Sequence, residues 1–400
     1  MPIPTAFHER TSMLCESLNY REWAGHYAVS TYETHHEHEY NAIRNAAAVI
    51  DVSPLFKYRI TGPDATQLVD RIITRDIQKV KVGRVIYTPW CDQRGKVIDD
   101  GTVSRLEENT YRWTAADPSF RWFHQNSRGL NVEIDDISEE ISALALQGPT
   151  SGRLLESVVD GADIPNLRYF GITKGRIAGV SVDISRTGYT GDLGYEIWIP
   201  RQQSLEVWDA LIEAGQAFGI HAAGMLALDV ARIEAGLLLI EVDFNSSMKA
   251  VIPSQEYSPF EMGLGRLVHL DKARFVGQEA LIEERKLGHD RQVVGLEIGW
   301  PDVERVHEDV GLPPAMSSTA SRDAVPIYKD GKQVGKATST TWSPKLKKLI
   351  ALATISREHS DIGTRLEIEF TVEAVRDRVE ATVVKTPFFN PGRKTKTPID

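Results

Sequence analysis

Cysteine is scarce. Cys15 and Cys91 are the only two in 400 residues, too few for a disulfide framework, and neither stands in a CxxC or Cys/His pattern with zinc-ligand spacing. That usage fits a reducing, cytoplasmic setting. Long apolar runs are missing as well: stretches such as "AGLLLIEV" fall far short of the ~20 residues needed to cross a bilayer. The opening "MPIPTAFHERTSMLCESLNY" lacks the unbroken apolar core of a secretory signal. Positive charge is not in excess either. With 46 Lys and Arg against 56 Asp and Glu, the net charge is −10, and the basic residues are scattered along the chain, which argues against nucleic acid or an anionic membrane as partner. Small molecules are the expected partners.

What is present is the composition of an ordinary folded protein, 42% apolar and 26% charged, in a chain long enough for two or three domains and a sizeable pocket. "EYNAIRNAAAVI" has helical spacing, "KYRITG" alternates like a strand, and "DATQLVDRII" returns to a helix after the turn signal of Pro63. Two hairpins follow, "GRVIYTPWCDQRGKVIDDGTVSRL" and "RIAGVSVDISRTGYTGDLGYEIWIP", the second leading into the helix "QSLEVWDALIEAGQAF". Helices mixed with antiparallel hairpins predict an α+β fold. Past the charged segment "EERKLGHDR", short alternating strands separated by Gly, Asp and Pro turns predict a small β-barrel or sandwich. The chain thus divides into a region 1–290, read as two interleaved α+β subdomains, and a C-terminal domain 291–400. No internal repeat is visible.

Chemistry concentrates in a few places. Asp99 and Asp100 lie side by side in "KVIDDGTV", a strand pattern in which Asp is normally depleted. A turn at "DQRG" pairs Cys91 with Lys96, and outward from it places Tyr87 opposite Asp100 and Thr88 opposite Asp99, with Pro89 disturbing the register. Only one of the two carboxylates can then face a buried side. A partly buried Asp100 beside a neutral phenol suits general acid-base work or stabilisation of a developing cation, whereas a solvated surface hairpin is the plainer reading. In "SRTGYTGDLGYEIWIP", Gly188, Gly191 and Gly194 recur every third residue but match no phosphate-binding fingerprint. Glu196 and Trp198 share a strand face, and a carboxylate there can accept the paired donors of an amino-pyrimidinone ring. His35, His36 and His38 read as surface residues, and no metal site is assigned. In "GMLALDVARIEAGLLLIEVDF", Leu226, Val230, Ile233 and Leu237 mark a core helix, on which Asp229 and Arg232 form an i,i+3 pair worth tenths of a kcal/mol.

The ordered stretches "DVSPLFKYRITGPDA", "IYTPWCDQRGKVIDDGTV", "LALQGPTS", "SRTGYTGDLGYEIWI", "DVARIEAGLLL", "SPFEMGLGRLVHLDKARFVGQEAL" and "TSTTWSPKLKKLIALATI" resemble the T protein of the glycine cleavage system, an aminomethyltransferase, and its superfamily. The resemblance runs from about residue 36 to the end. It implies a cloverleaf of mixed α and antiparallel-β subdomains around a channel that holds tetrahydrofolate, followed by a small β-barrel. It also implies that Asp100 is the catalytic aspartate, that Glu196 binds the pterin, and that Tyr87 and Tyr189 line the same site. Trp198, on the face of Glu196, joins them as a cofactor-binding candidate.

Departures bear on the substrate. Where the glycine-cleavage enzymes have "GLGARD", this chain has "GMLALD", with Leu228 in place of the arginine; a family tyrosine four residues past the aspartate is Ser104; and "IEVDFNSSMKAVIPSQEYSPFE" is longer than the corresponding link. The resemblance therefore implies a demethylase-like one-carbon transferase. It would move a methyl or methylene group from a small N-, O- or S-methylated donor to tetrahydrofolate. The alternative is a glycine-cleavage aminomethyltransferase served by a lipoyl carrier protein. A folate-binding iron–sulfur assembly factor is a third reading, disfavoured because "KARFVGQ" carries Arg274 at the cysteine of that group's "KGCYxGQ".

Overall fold

The computed structural model describes residues 1–399. Two antiparallel sheets and a barrel carry the architecture. The first sheet has five strands in the order Arg84–Cys91, Val97–Glu107, Thr110–Ala115, Phe56–Thr61 and Glu133–Asp136. The second has seven: Val159–Asp160, Ile172–Ile177, Val180–Ser185, Gly194–Pro200, Ile141–Gln147, Ala47–Asp51 and Ile220–Ala222, of which only the last pairing is parallel. Six strands between Arg291 and Val384 close the C-terminal barrel, its first strand hydrogen-bonded to its last. The α+β expectation holds for the first part and the barrel for the second.

Each sheet has one face on its own apolar core. Trp90, Trp113, Tyr58 and Phe123 pack beneath the five-stranded sheet with the helix Ala65–Ile72, Trp90 and Trp113 meeting edge-on with centroids 5.0 Å apart. Leu144, Leu146, Ile184, Ile197 and Trp208 do the same beneath the seven-stranded sheet. The opposite faces are joined across the gap by Arg112, whose Nη1 donates to Asp183 Oδ2 at 2.7 Å.

Several local expectations are revised. "EYNAIRNAAAVI" is not one helix: the helix Glu37–Asn45 stops, and Ala47–Asp51 is a strand buried between two neighbours, where a continuous apolar run reads equally well as strand or helix. The first hairpin also has a different register. A bulge sets Cys91 opposite Val97 and Trp90 opposite Asp99, so Pro89 faces Asp100 and Tyr87 faces Thr102. Relative to the expected pairing, Tyr87 and Thr88 slide by two residues, and a slip of two keeps every side chain on its face. The barrel domain contains a helix, Trp300–Glu308, that its strand pattern concealed.

The helix Met225–Glu234 is buried almost all round, charges included. Arg232 reaches Asp229 at 2.9 Å, Asp243 at 2.5 Å and the barrel's Ser339 at 2.8 Å, while Glu234 accepts from Tyr40, Arg44 and the barrel's Ser343. Asp229–Arg232 is thus no exposed helix pair but part of a buried network that bolts the barrel to the first two sheets. His36, expected on the surface, is buried as well, its Nε2 2.9 Å from the carbonyl of Ser318.

Candidate active site

The adjacent aspartates resolve into two environments. Asp99 points to the apolar core side and is completely buried. Backbone N–H groups satisfy it there: Asp100 N donates to Oδ1 at 2.7 Å, and Ala116 N and Asp117 N donate to Oδ2 at 3.1 and 3.0 Å. Both carboxylates are therefore inside, against the expectation that only one can be. Asp100 points the other way, into the gap between the sheets. Tyr87, diagonal to it across the hairpin, donates its hydroxyl hydrogen to Asp100 Oδ2 at 2.5 Å, the reach that same-face diagonal neighbours have in a twisted ladder.

Between them Gly101 lets the strands close: a Cβ there would sit 2.0 Å from the carbonyl oxygen of Thr114. Burial pushes the Asp100 carboxyl up to about 6, with the Tyr87 hydroxyl pulling in the opposite direction. Burial and the charge of Asp100 drive Asp99 up also, against its amide donors. Two adjacent carboxyls of this kind titrate as a pair.

The facing wall carries Glu196 and Trp198, which alternate with Tyr195 and Ile197 as the sequence pattern requires. Thr187 donates to Glu196 Oε2 at 2.5 Å, leaving acceptor capacity on a group that can take about four hydrogen bonds. Burial raises the Glu196 carboxyl, and the Thr187 hydroxyl and the nearby Arg112 hold it back. Trp198 shares that face but is buried, its N–H given to Ser185 at 3.2 Å and its ring under the Arg112 guanidinium at 4.4 Å.

Arg112 escaped the sequence reading. An arginine amid the apolar alternation of "TYRWTA" is the same kind of anomaly as an aspartate in a strand, and its Nε and Nη2 are buried with no hydrogen-bond partner. On its strand it stands opposite Ser104, two rungs from Asp100 on one sheet face.

The three-spaced glycines have a packing explanation. Gly188 and Gly194 enclose the side-chain amide of Gln147, which a Cβ at either would meet at 2.1 Å. Gln147 in turn donates to the carbonyls of Thr187 and Tyr195 and accepts from Thr190. The loop so fixed delivers Tyr189, whose hydroxyl donates to the carbonyl of Leu238. Tyr189 is near enough for the charge of Asp100 to oppose its ionisation, after burial. Tyr87 and Asp100 therefore belong to the five-stranded sheet and Glu196 with Trp198 to the seven-stranded one, whose loop carries Tyr189 within electrostatic reach of Asp100. The longer link 240–261 is fastened beside the aspartates, Ser247 N bonding Val97 O at 2.8 Å and Val97 N bonding Tyr257 O at 2.7 Å. Leu228 is buried.

An acid and a phenol on one of two facing sheets, a second carboxylate on the other, and a six-stranded barrel bolted behind them define an α+β protein with a C-terminal barrel. Residues 4–272 match the GCVT N-terminal domain and residues 291–390 the glycine cleavage T-protein C-terminal barrel domain. The chain belongs to the glycine cleavage T-protein family.

Among its relatives, an aminomethyltransferase of Caldanaerobacter subterraneus subsp. tengcongensis is 31% identical over 362 residues, covering 89% of this chain and 88% of that protein. The aminomethyltransferase of Bacillus subtilis is 34% identical, covering 88% and 90%. A trimethylamine-oxide aldolase of Ruegeria pomeroyi is 37% identical over 98% of this chain, which spans only 47% of that relative's length. The crystal structure of the glycine cleavage system aminomethyltransferase T from Bartonella henselae superposes with a TM-score of 0.82 at 21% identity, covering 98% of this chain and 99% of that one. That likeness supports the fold alone.

Proposed function

We propose that this chain is a tetrahydrofolate-dependent one-carbon transferase of the demethylase type, taking a methyl or methylene unit from a small N-, O- or S-methylated donor. The observation that carries the reading is the half-buried Asp100, hydrogen-bonded to Tyr87 and aimed into the same gap as Glu196. The donors and acceptors present fit the cofactor. Glu196 has free acceptor sites for the paired N–H donors of a pterin edge, Tyr87 and Tyr189 supply aromatic surface, and Trp198 acts through the guanidinium it supports. When bound, tetrahydrofolate supplies the nitrogen that receives the one-carbon unit. Asp100 orients that nitrogen and takes up or balances the positive charge that develops during transfer, in surroundings where water is largely excluded. Tyr87 keeps the carboxylate pointed.

The names of the relatives support both an aminomethyl and a trimethylamine-oxide chemistry. Buried Leu228, where the glycine-cleavage enzymes carry arginine, and the added link beside Val97 favour a free methylated substrate over one delivered on a lipoyl carrier protein. The test is to incubate the protein with tetrahydrofolate and a panel of methylated amines, amine oxides, ethers and sulfonium compounds and to follow folate by mass spectrometry. One-carbon-loaded folate from a free donor supports the reading. Product only when an aminomethylated lipoyl carrier is supplied returns the protein to glycine cleavage, and no product from any of them, with folate bound, overturns the enzymatic reading.

A further inference from the structure

The guanidinium of Arg112 has one edge in use and one edge free. The residue is only 4% exposed. Its Nη1 donates to Asp183 Oδ2 at 2.7 Å, and the group lies over the Trp198 ring, 4.4 Å from its centre. The other edge, Nε with Nη2, is buried without a hydrogen-bond partner among the described residues. Elsewhere in the molecule that same edge holds an acid side-on. Arg393 Nε and Nη2 reach Asp192 at 2.6 and 2.8 Å, and Arg59 Nε and Nη2 reach Asp135 at 3.1 and 2.8 Å. Two N–H donors of a buried cation left unsatisfied cost free energy that an acceptor in the gap would recover.

What stands beside the free edge narrows the acceptor. Glu196 is two residues from Trp198 on one strand face. Burial lowers the Arg112 guanidinium, and Asp183 and then Glu196 oppose that shift, yet the hydrogen bond that Glu196 accepts comes from Thr187. The gap therefore presents a fork of donors next to a carboxylate of acceptors. A second anion at the fork would be repelled by Glu196. A neutral ring that carries a carbonyl beside two N–H donors satisfies both groups at once. A 2-amino-4-oxo pyrimidine has those groups in that order along one edge, and arginine forks onto the corresponding carbonyl side of guanine.

We propose that Arg112 is a specificity-determining residue of this chain: its Nε and Nη2 donate to the 4-oxo oxygen of the ring, while Glu196 accepts the adjoining ring N–H and 2-amino hydrogens. The inference rests on the folate reading above and extends it. Arg112 selects a 4-oxo ring over a 4-amino one, because an amino group at that position would turn a donor toward the donors of the fork.

Calorimetry on the full chain with tetrahydrofolate and with its 4-amino counterpart tests this. The parent should bind the 4-oxo form at least about tenfold more tightly, the scale of a hydrogen bond to a charged group. In Arg112→Met that preference should shrink by about tenfold or more. The change should come from weaker binding of the 4-oxo form, with the 4-amino form binding as before or better once the opposed donors are gone. Arg112→Lys keeps a cation over Trp198 and a partner for Asp183 but offers no fork, so its preference should fall between the other two; it carries the test if Arg112→Met does not fold. Equal binding of the two forms by the parent, or substitutions that weaken both alike or neither, overturn the assignment and leave the folate reading standing. Failure of both forms to bind the parent sinks the folate reading itself.

Discussion

Asp100 shows what a single misplaced charge does. Its carboxyl, raised from 3.8 to about 6, binds its proton more tightly folded than unfolded. Between those values the native state holds more protons, so this contribution to stability is present below about pH 4 and is lost as pH rises through about 6. Asp100→Asn removes the penalty. We expect the variant to gain on the order of 1–2 kcal/mol over the parent at pH 8 and nothing at pH 4, read by thermal unfolding at the two pH values.

Turnover should move oppositely, falling by roughly two or more orders of magnitude, and the parent's activity should rise through about pH 6 as Asp100 ionises. A variant that is neither more stable nor slower would remove Asp100 from the site. On the facing wall, Glu196→Ala should cost about 1.5–3 kcal/mol of folate binding, the scale of a hydrogen bond to a charged group. Calorimetry with unchanged affinity would place that carboxylate elsewhere.

Among elements, the helix Met225–Glu234 and the first hairpin carry the most consequence. Among the described residues Arg232 is the only cation in ion-pair contact with buried Asp243, and with Arg322 it neutralises buried Asp229. Arg232→Ala leaves Asp243 without a cation and Asp229 with Arg322 alone, and a loss of about 3–5 kcal/mol is expected in denaturant unfolding; a loss under about 1 kcal/mol would mean that water or a shifted side chain replaces it.

The hairpin shows how far sequence reading went. Alternation placed Tyr87 and Asp100 on one face, and they are there. The bulge that makes them diagonal partners was hidden because a two-residue slip leaves the face pattern intact. Asp99 was only half legible, since two of its three amide partners, Ala116 and Asp117, lie just past the neighbouring strand Thr110–Ala115, where no local pattern reports them. His36 and the buried Asp229–Arg232 pair failed for the same reason: their burial is decided by the barrel, distant in the chain.

At the scale of the whole molecule, the segment after the barrel returns to the seven-stranded sheet. Arg393 forks onto Asp192 at 2.6 and 2.8 Å, Arg186 binds the carbonyls of Arg393, Lys394 and Lys396, and Ile399 packs against Gly152. This strap lies across the loop that holds Thr187 and Tyr189. Arg393→Ala should speed amide hydrogen exchange in residues 187–194 by about tenfold or more while leaving the barrel strands unchanged, because the opening is local; unchanged exchange in the loop would show that Gln147 alone suffices. The family motifs signalled the barrel and the gap, but not that residues 393–399 bind back onto the loop. A ribosome makes those residues after every strand of the two sheets and the barrel. Nascent chains can close their sheets early, yet the loop bearing Tyr189 reaches its braced form only when translation has passed residue 399, so a prematurely terminated product would be folded in its parts and unbraced at that loop.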